Sequence, residues 1–308
     1  MDVDVDAIMG SLAERRPDPG DAVAVSGWML GVLGVLHSPV YRSRELRDRL
    51  AELGVTDRLA AYLAQRAAPL GLPAGRPGAR LVAATFYGFS PDAVAQRVPA
   101  VWDVASPAQV MEATLGAMRE LLGRLIGERT DEVAELAGLL VPVADAHEVA
   151  GRPLAAAWRD VARTGEPLLD LWLATCVIRE SRGDGHLALL VAEGIGPLES
   201  HLITTGDRPE VRATLEGMRA WSVTEIDAAV GRLRDGGLLD AEGGRTDRCR
   251  DLRRDIERRT DELSASAWAA TDPATVMRIS ELALRLLPPV LTSGSLLPPV
   301  FQRLMPRG

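Results

Sequence analysis

The chain has 308 residues, a net charge of −8 at pH 7 and a sequence pI of about 5.2. Apolar residues make up 47% of it and aromatic residues 4%, so a core must be built mainly from Leu, Val and Ala, which favours packed helices over a β-sandwich. This negative net charge disfavours a protein whose main function is to bind phosphate groups. The length predicts two domains or one duplicated domain.

Few features point to targeting or to redox chemistry. Cys176 and Cys249 lie far apart without the spacing of metal ligands, so we expect reduced thiols. The apolar run at 28–36 is too short to span a bilayer, and the first twenty residues are acidic, unlike the start of a signal peptide. We therefore expect a cytoplasmic protein that does not associate with membranes.

Proline and glycine clusters divide the chain into four parts. We predict a flexible acidic arm at 1–20, two mainly helical units at 21–148 and 149–285, and a Pro-rich arm at 286–308. The last arm repeats the letters LLPPV, whose prolines should exclude it from a helix. We expect it to be extended and to pack on the body or on a second subunit.

The two helical units read as copies of one arrangement, in chain order. In the first, a helix from near Trp28 ends at LHSPVYRS, followed by a helix, a turn at Gly54 and another helix. In the second, a helix around Trp172 ends at RESRGDG, followed by a helix, a turn at Gly194 and another helix. The repeated order predicts an internal duplication.

The match extends into a later helix of each copy. An aromatic residue and a serine precede both, Phe89–Ser90 in the first and Trp221–Ser222 in the second. Serine is a preferred N-cap, and Glu225 completes a capping box with Ser222. Each start is followed by a longer predicted helix, at roughly 107–128 and 247–268.

The second copy continues with the letters GGLLDAEGGRTD, a short apolar strand, a Gly-rich turn and a return, which is the pattern of a winged helix. Residues 230–243 resemble the recognition helix and wing of MarR-type proteins. Over about 25–285 the chain resembles an actinobacterial family of mostly uncharacterised tandem helix-turn-helix proteins. The elements that carry this resemblance are RAAPLG (66–71), TFYGF (85–89), RGDGH (182–186) and WSVTE (221–225).

The resemblance implies a mainly α fold with small β-wings, in which two tandem winged-helix copies form a MarR-like pseudo-dimer. The protein would then be a monomeric pseudo-dimer or a homodimer. The first copy offers no clear second strand for a wing, so we interpret it as degenerate.

The charge pattern disfavours duplex DNA as a partner, although it leaves that hypothesis open. The predicted recognition helix of the second copy carries Glu225 and Asp227 in its first turn, where carboxylates repel phosphates. Arginines follow at 245–254, but acidic residues alternate with them at spacings that suit ion pairs along a solvated helix.

Candidate chemistry concentrates in the two predicted linkers, LHSPVYRS and RESRGDGH. The sequence contains no metal-ligand spacing, nucleotide-binding loop or nucleophile elbow, so no metal and no cofactor is expected. By the duplication the linkers face each other near the pseudo-two-fold, where related dimers keep small-molecule pockets. A cleft of cations, imidazoles and aromatics suits a small polar or anionic aromatic ligand. The candidate ligand-binding residues are His37, Tyr41, Arg66, Phe86, Tyr87, Arg179, Arg182, Asp184 and His186.

Asp184 and His186 leave three interpretations open. Asp184 can cap a helix that begins at Gly185 and pair with Arg179, which makes the segment purely structural. The flanking glycines favour close backbone approach or unusual dihedral angles, as in a ligand clamp. Asp184, His186 and His37 are also the candidate catalytic residues for acid–base chemistry.

The leading hypothesis is a cytoplasmic small-molecule-binding protein on a duplicated winged-helix scaffold. One alternative is a ligand-responsive transcriptional regulator that binds DNA. The other is an enzyme of specialised metabolism that uses His186 and Asp184.

Overall fold

The computed structural model describes residues 4–72, 75–296 and 304, and the prediction of a mainly α fold is confirmed. The first half consists of α-helices and one short 3₁₀ helix. They are α1 (Val5–Glu14), α2 (Ala22–His37), the 3₁₀ helix (Ser38–Arg42), α3 (Arg44–Glu52), α4 (Arg58–Gly71), α5 (Ala79–Thr85), α6 (Pro91–Val104), α7 (Pro107–Ile126) and α8 (Thr130–Ala146).

The second half follows a similar order. Its helices are α9 (Pro153–Arg159), α10 (Pro167–Ala192), α11 (Glu199–Thr205), α12 (Pro209–Arg219), α13 (Val223–Asp235), α14 (Asp247–Leu263), α15 (Ser266–Ala269) and α16 (Pro273–Leu291). The long helices expected at 107–128 and 247–268 are α7 and α14.

The described residues divide into two apolar cores. The main core takes side chains from α1 to α10 and from α15 and α16. The second, smaller core lies among the end of α10, α11, α12, α13 and the start of α14. Helices α2 and α10 pack on each other in the centre; α2 also contacts α14, α15 and α16, and α10 also contacts α7, α8, α9 and α14.

The turns at Gly54 and Gly194 have the same construction. Both glycines have a positive φ, +91° and +68°. Val55 donates its N–H to the Leu50 carbonyl at 2.8 Å, and Ile195 donates to the Leu190 carbonyl at 2.9 Å. This six-residue closure needs a left-handed residue, which glycine adopts without strain. The expected glycine turns are therefore present in both halves.

The predicted β-wings are reduced to a single turn. Within the described ranges, β-pairing is limited to one isolated antiparallel bridge between Leu239 and Arg245. The Asp240 N–H donates to the Gly244 carbonyl at 2.9 Å, and the Asp240 carboxylate accepts from the Gly244 N–H at 2.6 Å. Residues 236–246 are all that separate α13 from α14, which leaves little room for longer strands. In the first half only two residues separate α6 from α7, which leaves no room for a wing.

The predicted break in the second half at RGDGH is wrong, because α10 runs without interruption from Pro167 to Ala192. Gly183 and Gly185 lie inside this helix, and neither has a positive φ. Glycine costs about 1 kcal/mol in a helix interior. Burial of the neighbouring Ser181, Arg182 and Asp184 against surrounding helices outweighs that local cost.

The two terminal arms are more structured than expected. Residues 5–14 of the predicted flexible arm form α1, whose Ile8 and Leu12 are buried. Helix α16 continues through Pro288 and Pro289 to Leu291, although we expected these prolines to exclude a helix. The cost of an interior proline is about 3 kcal/mol, and it is offset here by an apolar face that is buried on both sides of the pair.

The tail beyond α16 contacts the body where it is described. Leu296 is buried, and its carbonyl accepts a hydrogen bond from Arg42 at 3.2 Å. The remainder of the second LLPPV stretch, 297–300, lies outside the described residues.

One segment in the described ranges is long and apolar enough to cross a membrane by length and composition, Ala22–Glu52. It contains α2, and 61% of its most apolar window is buried within the fold. Core helices of water-soluble proteins have the same character.

Candidate functional site

A cavity of about 190 Å³ lies between the two halves. Its walls come from α2, the 3₁₀ helix and α4 of the first half, and from α10, α15 and the end of α12 of the second. Four of the predicted ligand-binding residues line it: Tyr41, Arg66, Arg179 and Arg182.

Three arginines of this cavity each lie within cation–π distance of an aromatic ring. The guanidinium carbon of Arg66 lies 4.6 Å from the centre of the Phe86 ring, and that of Arg179 lies 5.7 Å from the centre of the Tyr41 ring. Arg219 lies 4.2 Å from the centre of the Phe89 ring. A cation–π contact attracts the guanidinium group to the ring face and uses none of its N–H donors.

Two of these arginines, Arg66 and Arg179, share one buried carboxylate, Glu180. Arg66 donates to both of its oxygens, at 3.2 and 3.3 Å, and Arg179 donates to one of them. Arg219 has no carboxylate within ion-pair distance among the described residues. Burial lowers the pKa of Arg219, and the phenol of Tyr62 offsets this only in part.

Tyr62 stands between two of the arginines. Arg66 donates to its hydroxyl at 3.4 Å, and its ring lies 5.6 Å from the ring of Phe89. Burial raises the pKa of the Tyr62 phenol, but the neighbouring guanidinium groups, Arg66 first, outweigh it and bring the pKa below its usual value. The electrostatic potential at this wall therefore favours negative charge.

His37 is close to the cavity but is part of the packing behind it. Its Nε2 lies 2.8 Å from the Tyr41 hydroxyl, and its Nδ1 lies 3.4 Å from the Cys176 sulfur. The ring is stacked parallel to Trp172. Burial, followed by the charge of Arg179, holds the pKa of His37 well below its usual value, so the imidazole is neutral.

Arg182 connects two helices. From α10 it donates to Asp261 at 2.7 Å and to Glu257 at 2.8 Å, both on α14. Its charge is therefore balanced, unlike that of Arg219. Glycine at position 27 of α2 allows this arrangement, because a Cβ there would lie 2.7 Å from Asp261 Oδ2.

Asp184 caps a helix, but not the one that we predicted. Its carboxylate accepts from the backbone N–H groups of Leu154 and Ala155 in the first turn of α9, both at 2.9 Å. The predicted cap on a helix starting at Gly185 is wrong because that helix start does not exist. The predicted pairing with Arg179 is also absent, since Arg179 binds Glu180.

His186 and Tyr87 lie away from the cavity wall. His186 Nδ1 is 3.0 Å from the Thr260 hydroxyl of α14. The Tyr87 hydroxyl donates to the Ile195 carbonyl at 2.6 Å and belongs with the second core. The fold thus brings six of the predicted residues together at the cavity wall or directly behind it: His37, Tyr41, Arg66, Phe86, Arg179 and Arg182. The other three, Tyr87, Asp184 and His186, contact other elements.

Most of the other residues of the cavity wall were not predicted from the sequence, among them Tyr62, His147 and Arg219. Tyr62 lies one helical turn before Arg66, and this spacing could have identified it. Arg219 and His147 each lie at the end of a helix, and no local pattern marks them.

His147 is a buried residue with unmet hydrogen-bonding capacity. Its side chain is 1% exposed, and neither ring nitrogen has a hydrogen-bond partner among the described residues. Burial, reinforced by Arg152 and Arg159, lowers the pKa of His147 to about 4, so the ring is neutral and offers one donor and one acceptor. An unmet buried polar group costs about 1–3 kcal/mol.

The helix pairs α5–α6 and α12–α13 have helix-turn-helix order, and they meet near Gly88. The Gly88 carbonyl accepts from Trp221 Nε1 at 3.1 Å and lies 3.1 Å from His201 Nε2. Ser90 donates its backbone N–H to the Arg219 carbonyl at 3.0 Å. The two helix pairs are therefore joined directly.

Most of the charged side chains on the exposed face of α13 are paired. Arg232 donates to Glu199, and Arg234 donates to the carbonyls of Asp240 and Ala241. Glu225 completes the capping box with Ser222, and Asp227 accepts from Arg212 at 2.6 Å. Most arginines of α14 form ion pairs along that helix, as with Arg254–Asp251 and Arg258–Asp255.

Within the described part of the chain, no group of three or more His, Cys, Asp or Glu side chains has the arrangement of a metal site.

A comparison with protein families supports the helix-turn-helix interpretation of these pairs. The searches of curated proteins and of solved structures returned no match. A family model described as "Helix-turn-helix family" matches residues 28–297, which covers most of both halves. The chain belongs to this helix-turn-helix family.

Proposed function

We propose that this protein binds a small polar or anionic aromatic ligand in the cavity between its halves. The observation that carries the proposal is His147, a neutral and buried imidazole in the cavity wall whose two nitrogens lack partners. Buried polar groups are paired in the great majority of proteins. Because both nitrogens are buried, a ligand in the cavity would have to displace part of the wall in order to supply the missing hydrogen bond.

The proposed scaffold is a cytoplasmic, monomeric pseudo-dimer of tandem copies. The contacts between halves are reciprocal, which supports it: α2 packs on α14 and α16, and α10 packs on α7 and α8. If α2 corresponds to α10, α7 to α14 and α8 to α16, one pseudo-two-fold axis relates both sets. The matched turns at Gly54 and Gly194 support the same axis, which would pass beside the cavity.

The cavity-filling variant Gly34→Met tests ligand binding. A Cβ at Gly34 would meet no atom within 4 Å, and this residue lines the cavity, so a larger side chain can enter the empty space. Gly138 is the matched control, because it is also helical and unobstructed but lies on an exposed face of α8.

The measurement is thermal unfolding and calorimetric titration with benzamide, benzoate and phthalate. We expect at least one probe to raise Tm and to bind the wild type and Gly138→Met, and none to bind Gly34→Met. Binding that survives in Gly34→Met would place the ligand elsewhere, and failure of every probe would contradict the proposal.

DNA binding is the second candidate function, and membership of a helix-turn-helix family favours it. A cationic surface available for it is formed by Arg245, in the turn between α13 and α14, and Arg248, in the first turn of α14. Neither has an ion-pair partner among the described residues. A mobility-shift assay with duplex DNA at 50 and 200 mM salt tests this function. Salt-sensitive binding that is lost in Arg245→Ala with Arg248→Ala would support a regulator, and no shift at either salt would exclude one.

An enzymatic role for His186 and Asp184 has less support. The two side chains contact different helices, and neither lines the cavity. Asp184 already uses its carboxylate to cap α9.

A further inference from the structure

Positive side chains outnumber negative ones around the cavity. Arg182 is balanced by Glu257 and Asp261, and Arg253 also pairs with Glu257, so this group of charges needs no ligand. Among the described residues, Arg66 and Arg179 pair with one carboxylate, Glu180, and Arg219 pairs with none. Two positive charges therefore lack a counter-charge at this wall.

An unpaired cation that is partly withdrawn from water is unfavourable, and this protein retains two of them at one wall. The guanidinium carbon of each arginine lies 4.2–5.7 Å from the centre of an aromatic ring, so an arginine that swung out to solvent would lose a cation–π contact. Preorganised donors of this kind are typical of sites that clamp carboxylate or phosphate groups.

We infer that the natural ligand is a small dianion, held by Arg66, Arg179 and Arg219, with a neutral polar group that reaches His147. This inference rests on the proposed function and narrows its ligand class. The shared chemistry is two negative charges on an aromatic or apolar frame, supplied either by two carboxylates or by one phosphate monoester. Arg219 comes from the second half and Arg66 from the first, so one dianion would join both halves.

The experiment compares probes that share one ring and differ in charge. Benzamide carries no charge, benzoate carries one, and phthalate and phenyl phosphate carry two at pH 8. Calorimetric titration of the full chain gives Kd for each. We expect the dianions to bind at least ~10-fold more tightly than benzoate, with benzamide weakest. Their affinity should fall as salt rises, because salt screens charge pairs.

The variant Arg219→Gln tests whether the charge of the arginines, rather than the shape of the cavity, determines the affinity for dianions. We expect it to weaken dianion binding by about 10- to 30-fold and benzoate binding by less. Arg208→Gln is the control, since Arg208 is exposed, pairs with Glu210 and does not line the cavity. Circular dichroism checks that each variant is folded, and Arg66→Gln provides a second variant if Arg219→Gln is not.

The outcomes distinguish this inference from the proposed function. Equal affinity for benzoate and both dianions, abolished by Gly34→Met, would overturn the dianion and leave ligand binding in place. Failure of all four probes would overturn both. Preference for phthalate over phenyl phosphate, or the reverse, identifies the acidic group.

Discussion

The two helix-turn-helix units have the same order of elements but different relations to the core. Helix α13 begins with a complete capping box at Ser222 and belongs to a small separate core. Helix α6 begins at Ser90 without a side-chain cap, contains Pro99 and packs into the main core. The second unit therefore keeps the local signals of an independent module, while the first depends on the rest of the fold. Burial has replaced local stabilisation in the first unit.

The prediction with the largest expected effect on stability introduces a carboxylate into each core. Val94 and Ile226 occupy equivalent positions four residues after the caps, and both are fully buried. A buried unpaired charge costs several kcal/mol, against a total stability of roughly 5–15 kcal/mol. We expect Val94→Asp to unfold the whole chain and Ile226→Asp to unfold mainly 187–256. Circular dichroism and hydrogen exchange resolve the two cases, and equal loss of helix in both variants would refute separate cores.

A second test uses the hydrogen bonds that link each long central helix to the short helix before it, α2 to α1 and α10 to α9. In the first half, Trp28 Nε1 donates to the Leu12 carbonyl at 3.2 Å, and this bond contains no titratable group. In the second half, the link is the Asp184 carboxylate on α9. Burial raises the pKa of Asp184 to about 6 and outweighs the two backbone N–H bonds that lower it.

The sign of the pH dependence follows from that shift. Because the folded state holds the proton more tightly than the unfolded state, the stability linked to Asp184 is greatest at low pH and is lost as pH rises through about 6. We expect the wild type to lose about 1–3 kcal/mol between pH 4 and pH 7 relative to Asp184→Asn, measured by urea unfolding. Trp28→Phe should lower stability equally at both pH values. Parallel curves for wild type and Asp184→Asn would show that Asp184 does not titrate in this range.

The smallest expected effect compares the two caps. Ser222 Oγ accepts from the Glu225 N–H, whereas Ser90 makes no side-chain cap bond. We expect Ser222→Ala to lower the free energy of unfolding by about 1 kcal/mol. Ser90→Ala should change it by less than about 0.5 kcal/mol, as for a substitution that removes no specific interaction. Equal losses in denaturant unfolding would mean that both serines cap.

Features that depend on neighbours within a few residues could be predicted from the sequence. The mainly helical fold, the glycine turns at 54 and 194 and the capping box at Ser222 were all predictable. Each rests on a contact between residues three to five apart, or on the backbone freedom of glycine. The alternation of charges on α14 is local in the same sense. Arg66 and Tyr41 were also identified, because residue type and the duplication pointed to one wall.

Tertiary structure alone decided the contacts between distant residues. Two glycines suggested a break at 183–185, but burial on several sides keeps α10 continuous there. Asp184 was recognisable as a cap, yet the helix it caps starts some thirty residues earlier in the chain. Arg219 and His147 enter the cavity only because α12 and α8 end beside it. Local propensities amount to about 1 kcal/mol per residue or less, so packing and the pairing of buried polar groups override them wherever they disagree.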